Sequence, residues 1–147
     1  MMLRDRLSEE MKGAMKARDE IRLSAIRLIR SSVKNREIES RHELADDEVI
    51  EVVSTLVKQR RESIRMFGEA GRTDLVEKEE KELAVLLTFL PQQLSREEVE
   101  ALVAQAIADS GAQGPKDMGK VMKAIMPHVT GRADGSLVSS VVKEKLA

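Results

Sequence analysis

The chain has 147 residues, enough for one domain or two small ones, and it is 41% hydrophobic and 35% charged. It has no Cys, Trp or Tyr and only two Phe, Phe67 and Phe89, so disulfides, thiol chemistry and Cys-ligated zinc are excluded and aliphatic residues have to fill the core. The formal net charge of −1 gives no global attraction to a polyanion.

The charge is unevenly spread. Residues 1–42 have 11 Lys/Arg against 7 Asp/Glu, residues 43–82 have 7 against 12, and residues 83–147 have 7 against 7. Such a pattern suits internal pairing as readily as an external ligand. Abundant Glu, Lys, Arg, Leu and Ala favour helix, and 8 Gly and 3 Pro leave few turns.

The first predicted helix, roughly 2–18, presents Leu3, Leu7, Met11 and Met15 on one face, as a core-covering amphipathic helix does. The second, roughly 20–42, places Ile21, Ala25, Leu28, Ile29 and Val33 on one side and Arg27, Arg30, Lys34 and Arg41 on the other. Arg22 and Arg36 fall nearer the apolar face and are expected to pair with carboxylates of neighbouring helices. The third begins at "HELADDEV", where Asp46 or a neighbour is expected to cap it, and runs to about Phe67 with Lys58, Arg61 and Arg65 as a basic stripe. Gly68 and Gly71 break it. The fourth, about 73–89, starts with the run "EKEEKE", read as a solvated face, and enters the core through "LAVLLTFL".

Pro91 then interrupts the helical pattern. Ser95 and Glu98 have capping-box spacing, with Leu94 and Val99 placed as a hydrophobic staple, so a fifth helix starts near Arg96. The sixth, "PKDMGKVMKAIM", has Met118, Val121, Met122 and Ile125 on one face and Lys116, Lys120 and Lys123 on the other. Gly119 within it points to close helix packing. The seventh spans about 136–146. No alternating strand pattern occurs. The expected fold is all-α, with an N-terminal helical bundle over residues 1–90 and a small three-helix domain over 91–147.

Catalytic apparatus is not legible. His42 and His128 lie far apart in sequence without a metal-binding context, and no glycine-rich phosphate loop exists. No catalytic residue, cofactor or metal is expected. The N-terminus lacks the apolar run of a secretory signal and no stretch nears the ~18 apolar residues of a membrane span, so the expectation is a soluble cytoplasmic chain without a membrane partner. The basic stripes could neutralise phosphates. With almost no aromatic rings for base stacking, any RNA contact is expected through phosphates and shape.

Several segments together, "ARDEIRLSAIRLI", "KQRRESIRMFGEAGRTDL", "FLPQQLS", "KDMGKVMKAIM" and "GRADGSLVSSVVKEKL", resemble the YqeY proteins, also called GatB/YqeY domain proteins, in collinear order over nearly the whole chain. Ala45 departs from the Ser or Thr cap expected there. The resemblance implies an all-helical protein whose C-terminal unit is similar to the tail of the B subunit of the tRNA-dependent amidotransferase. That enzyme is a carbon–nitrogen ligase that uses glutamine as amido donor, and its tail recognises the tRNA body while chemistry occurs elsewhere. Where that tail has a G-K-A-N-P type sequence this chain has "GRADG", and where it has G-x-V-M this chain has Gly119 to Met122.

In "GRADG" itself, Gly131 suits a turn with positive φ and Asp134 suits a cap for the last helix. Arg132 is the residue that a turn does not require, and it could extend the lysine row toward a phosphate backbone. The expected function is a non-catalytic accessory module binding structured RNA, tRNA first of all, through Lys116, Lys120, Lys123, Arg132 and Lys143, with Arg27, Arg30 and Lys34 as a secondary basic surface. The rival is a helical adaptor for an aminoacyl-tRNA synthetase or amidotransferase subunit, using the face of Met118, Met122 and Met126.

Overall fold

Seven α-helices make up the described part of the chain, which in this computed structural model is residues 2–147. They are α1 (Leu3–Ala17), α2 (Glu20–Ser40), α3 (Asp46–Glu69), α4 (Thr73–Leu87), α5 (Arg96–Ser110), α6 (Met118–Val129) and α7 (Gly135–Leu146), with a 3₁₀ turn, Pro115–Asp117, leading into α6. No strand occurs among the described residues, and the fold is all-α. The chain divides into two compact units, Met1–Leu90 with α1–α4 and Pro91–Ala147 with α5–α7.

In the N-terminal unit, Leu7, Ala14, Ile26, Ile29, Val49, Val53, Leu86 and Phe89 form the centre of one apolar core. Arg4 near the start of α1 pairs with Glu37 near the end of α2, and Glu10 pairs with Arg22, so the two helices run antiparallel. Arg22 therefore finds the expected carboxylate. Arg36 does not: it is exposed and lies in no ion pair among the described residues. Met15, expected on the core face of α1, is 52% exposed, and Ala14 is buried instead. Both α1 and α2 end on an arginine in the left-handed region, Arg18 at φ 56° and Arg41 at φ 60°.

The start of α3 differs from expectation. Ala45 occupies the N-cap and has no side-chain acceptor, so only half of a capping box forms: the Glu48 carboxylate accepts the Ala45 N–H at 3.1 Å. Asp46, expected as the cap, instead accepts the Leu3 N–H at 3.0 Å and so closes the first turn of α1. The run "EKEEKE" is not wholly solvated either. Glu82 is buried and Glu79 half-buried, and both meet the Arg60 guanidinium of α3, Glu82 at 3.0 Å. That face turns inward because α3 and α4 share the largest helix interface of the unit.

His42 and Glu48 add a titratable clasp at the turn between α2 and α3, with Nε2 and Oε2 2.8 Å apart. The Glu48 hydrogen bond, then the Ser40 carbonyl, hold the His42 imidazolium above its ordinary 6.5. The His42 hydrogen bond, then the Ala45 N–H, hold Glu48 below its ordinary 4.5. The Glu48 contribution is complete above 4.5 and is lost as pH falls through its depressed value. The His42 contribution is complete below 6.5 and is lost as pH rises through its raised value. The clasp is therefore fullest between pH 4.5 and 6.5. In an NMR titration of the His42 ring, Glu48→Gln is expected to bring the midpoint down toward the ordinary value; an unmoved midpoint would remove Glu48 as the cause.

The C-terminal unit packs α5, α6 and α7 around Val99, Val103, Val121, Ile125, Val129, Val138, Val141 and Val142. Ser95 caps α5 through a complete box with Glu98, and Leu94 and Val99 both join this core. Arg96 of α5 meets Glu100 at 3.0 Å and Glu144 of α7 at 2.9 Å. Pro127 lies inside the last turn of α6, which continues to Val129.

Candidate nucleic-acid interface

The C-terminal unit has as many cations as carboxylates, and Asp117 is the one carboxylate on the 3₁₀ turn and α6. Glu97, Glu98 and Glu100 gather in the first turns of α5, whereas Lys116, Lys120 and Lys123 lie on the 3₁₀ turn and α6. The core side of α6 is set by Val121, Ile125 and Val129. At about 100° per residue, Lys120 and Lys123 fall on the opposite side of the helix. All three lysines are exposed, and none is in an ion pair among the described residues.

This placement does not help α6 to fold. Lys116 and Lys120 sit at its N-terminal end, where the helix dipole is positive and the first turn has no acidic residue. A cation there is disfavoured by roughly 0.3–1 kcal/mol, offset in part by Asp117 at the N-cap, whose carboxylate accepts the Gln113 N–H at 2.9 Å. The same end, with its N–H groups and two ammonium groups, favours an anion.

The "GRADG" segment is organised by the segment before α5. Gly131 is buried at φ 76°, the positive φ that the turn requires. The Leu94 N–H donates to the Arg132 carbonyl at 2.8 Å, and the Gln93 amide donates to the Gly131 carbonyl at 2.7 Å. Arg132 itself is half-buried, its guanidinium donating to the carbonyls of Gln92 at 3.3 Å and His128 at 3.4 Å. Its fork is turned toward the protein. Asp134 caps α7 by accepting the Ser136 N–H at 3.0 Å. Lys143 is exposed on a different helix, in the last turn of α7, where a cation suits the dipole.

Gly119 is not in the expected close packing: a Cβ built there meets nothing within 4 Å. Met118 and Met122 pack against the C-terminal core, and Met126, 38% exposed, is the open member of that methionine face. On α2, Arg27, Arg30 and Lys34 are all exposed. Arg30 and Lys34 line a pocket shared with α1 that Arg27 does not reach. Sequence reasoning missed that pocket, since its signal is the meeting of two helices rather than a motif.

Taken together, these features define an all-α protein of two helical units whose C-terminal unit displays an unpaired lysine row. The chain belongs to the YqeY family: the family described as "Yqey-like protein" matches residues 4–146. It is 42% identical over 107 residues to Altered inheritance of mitochondria protein 41, mitochondrial, of Kluyveromyces lactis, a match covering 70% of this chain and 57% of that protein. The proteins of the same name from Lachancea thermotolerans and Pyrenophora tritici-repentis are 31% and 30% identical over 146 and 142 residues, covering 94% and 95% of this chain and 78% of each relative. The chain thus spans little more than half of the first relative.

These names overturn the cytoplasmic expectation, because the relatives are mitochondrial proteins by name. That expectation rested on the lack of an apolar secretory run. Mitochondrial transit segments are amphipathic and Arg-rich instead, so a search for an apolar run does not detect them.

Proposed function

We propose that the C-terminal unit is a non-catalytic module that binds structured RNA, tRNA in the first instance, by its phosphate backbone. The observation that supports this reading is the lysine row. Lys116, Lys120 and Lys123 are exposed and unpaired; Lys120 and Lys123 share one side of α6, and Lys116 and Lys120 stand at its anion-favouring end. Lys143 is a flanking contact, and Arg132 contributes potential from within the turn. The resemblance to the amidotransferase tail supports tRNA as the RNA to try first. The reading requires no base stacking, in keeping with a chain that has two aromatic residues.

In fluorescence anisotropy with labelled tRNA, the wild type is expected to weaken steeply with salt. Lys116→Glu/Lys120→Glu/Lys123→Glu is expected to bind at least about 10-fold more weakly and to flatten the log–log salt slope by about 3, one unit per lost phosphate contact. Equal binding by wild type and variant would end the reading. Capture of a protein partner that survives nuclease and high salt would favour the adaptor function instead.

A further inference from the structure

The groove between α1 and α2 opens into a pocket of about 550 Å³, a size typical of small-molecule sites. Its floor is apolar: Leu7, Val33 and Val49 line it and are each buried in the N-terminal core. Its charged wall is Arg30 and Lys34, one turn apart on α2 and therefore side by side.

These two cations are treated differently from the other arginines that bridge helices here. Arg4, Arg22 and Arg60 are each closed on a glutamate of a neighbouring helix. Arg30 and Lys34 meet no carboxylate among the described residues, and the one contact of the Arg30 guanidinium is the weakly accepting Met11 Sδ at 2.9 Å. Glu37, the next acid along α2, is already held by Arg4 and by the Leu44 N–H at 2.9 Å. Asp5, on the α1 side, is the other carboxylate of the lining and pairs with no cation among the described residues. Three cations against two carboxylates leave the pocket one positive charge in excess, concentrated on its α2 wall.

We infer that this pocket binds a small phosphate ester, with the phosphate on Arg30 and Lys34 and the organic part over Leu7, Val33 and Val49. A guanidinium beside an ammonium offers a fork and a point charge to one phosphate. The apolar floor favours an ester over the free ion, and the hydroxyls of Ser8 and Ser31 in the same lining suit a sugar-like portion. Arg27 lies outside the pocket and remains a solvated residue of the stripe. The site stands on the N-terminal unit alone and does not depend on the RNA reading of the α6 lysines.

The test is titration of the isotope-labelled full chain with AMP, inorganic phosphate and adenosine, read by amide NMR shifts. AMP is expected to give saturable shifts at Ser8, Ser31, Lys34 and Val49, with phosphate at least about 10-fold weaker and adenosine weaker still. Arg30→Gln/Lys34→Gln, at exposed helical positions where Gln is well tolerated, is expected to lower AMP affinity about 10-fold or more. Asp5→Asn is expected to raise it by about 2- to 5-fold, through loss of a like charge. Lys116→Glu/Lys120→Glu/Lys123→Glu is expected to leave it unchanged. No saturable shift by about 10 mM AMP, or an undiminished affinity in the double variant, overturns the proposal. So does a tRNA that shifts these amides while AMP does not, which would make the pocket part of an RNA footprint.

Discussion

Replacing Arg60 with alanine is expected to destabilise the N-terminal unit by about 3–5 kcal/mol. The Arg60 side chain is 18% exposed and lies between Glu79, 16% exposed, and Glu82, 8% exposed. Removing the guanidinium leaves two carboxylates facing each other away from water, a cost well beyond that of losing a surface pair. The measurement is urea unfolding followed by NMR signals from residues 2–90. Adding Glu82→Gln to Arg60→Ala is expected to recover part of the loss, because one buried charge is then gone. A loss below about 1 kcal/mol, the range of exposed pairs, would show that solvent reaches the network freely.

Phe89→Ala is expected to have a comparable effect, about 3–5 kcal/mol. Phe89 is 2% exposed and belongs to the core of the N-terminal unit. The Arg6 guanidinium lies 4.7 Å from its ring centroid and donates to the Thr88 carbonyl at 2.7 Å. The substitution therefore opens a cavity and removes a cation–π contact of roughly 0.5–1 kcal/mol. Phe89→Leu keeps most of the volume and is expected to cost much less. The same urea experiment distinguishes them, and an equal midpoint for Phe89→Ala and wild type would show that this ring does not hold the unit together.

Both residues mark where reading the sequence stops. Phe89 is visible as one of two aromatic residues at the end of an apolar run, and its burial follows from hydrophobicity. Arg60 stands beside Arg61 in a helix rich in charge, and nothing in its spacing says that α4 brings two glutamates to it. The same holds for Asp46. Its position before an apolar-periodic run suggests a cap for its own helix, yet its acceptor serves Leu3, 43 residues away in sequence.

The candidate interface divides in the same way. The lysine row on α6 is legible because residues 120 and 123 must share a side of any helix. The occupation of Arg132 is not legible, because its carbonyl partners belong to the segment before α5 and to the end of α6. The ends of α1 and α2 fall within two residues of their expected places, but the left-handed arginines that close them were not legible, since glycine is the usual signal there.

By itself, then, the sequence determined what depends on neighbours a few residues apart: the helical period, the Ser95–Glu98 capping box, the Asp134 cap and the outward lysines of α6. These are set by covalent spacing and the geometry of one helix. Only the tertiary structure decided which helix faces meet. Contact between faces buried the Arg60–Glu79–Glu82 network, turned Arg132 inward and opened the pocket beside Arg30 and Lys34, because each depends on groups joined only by packing.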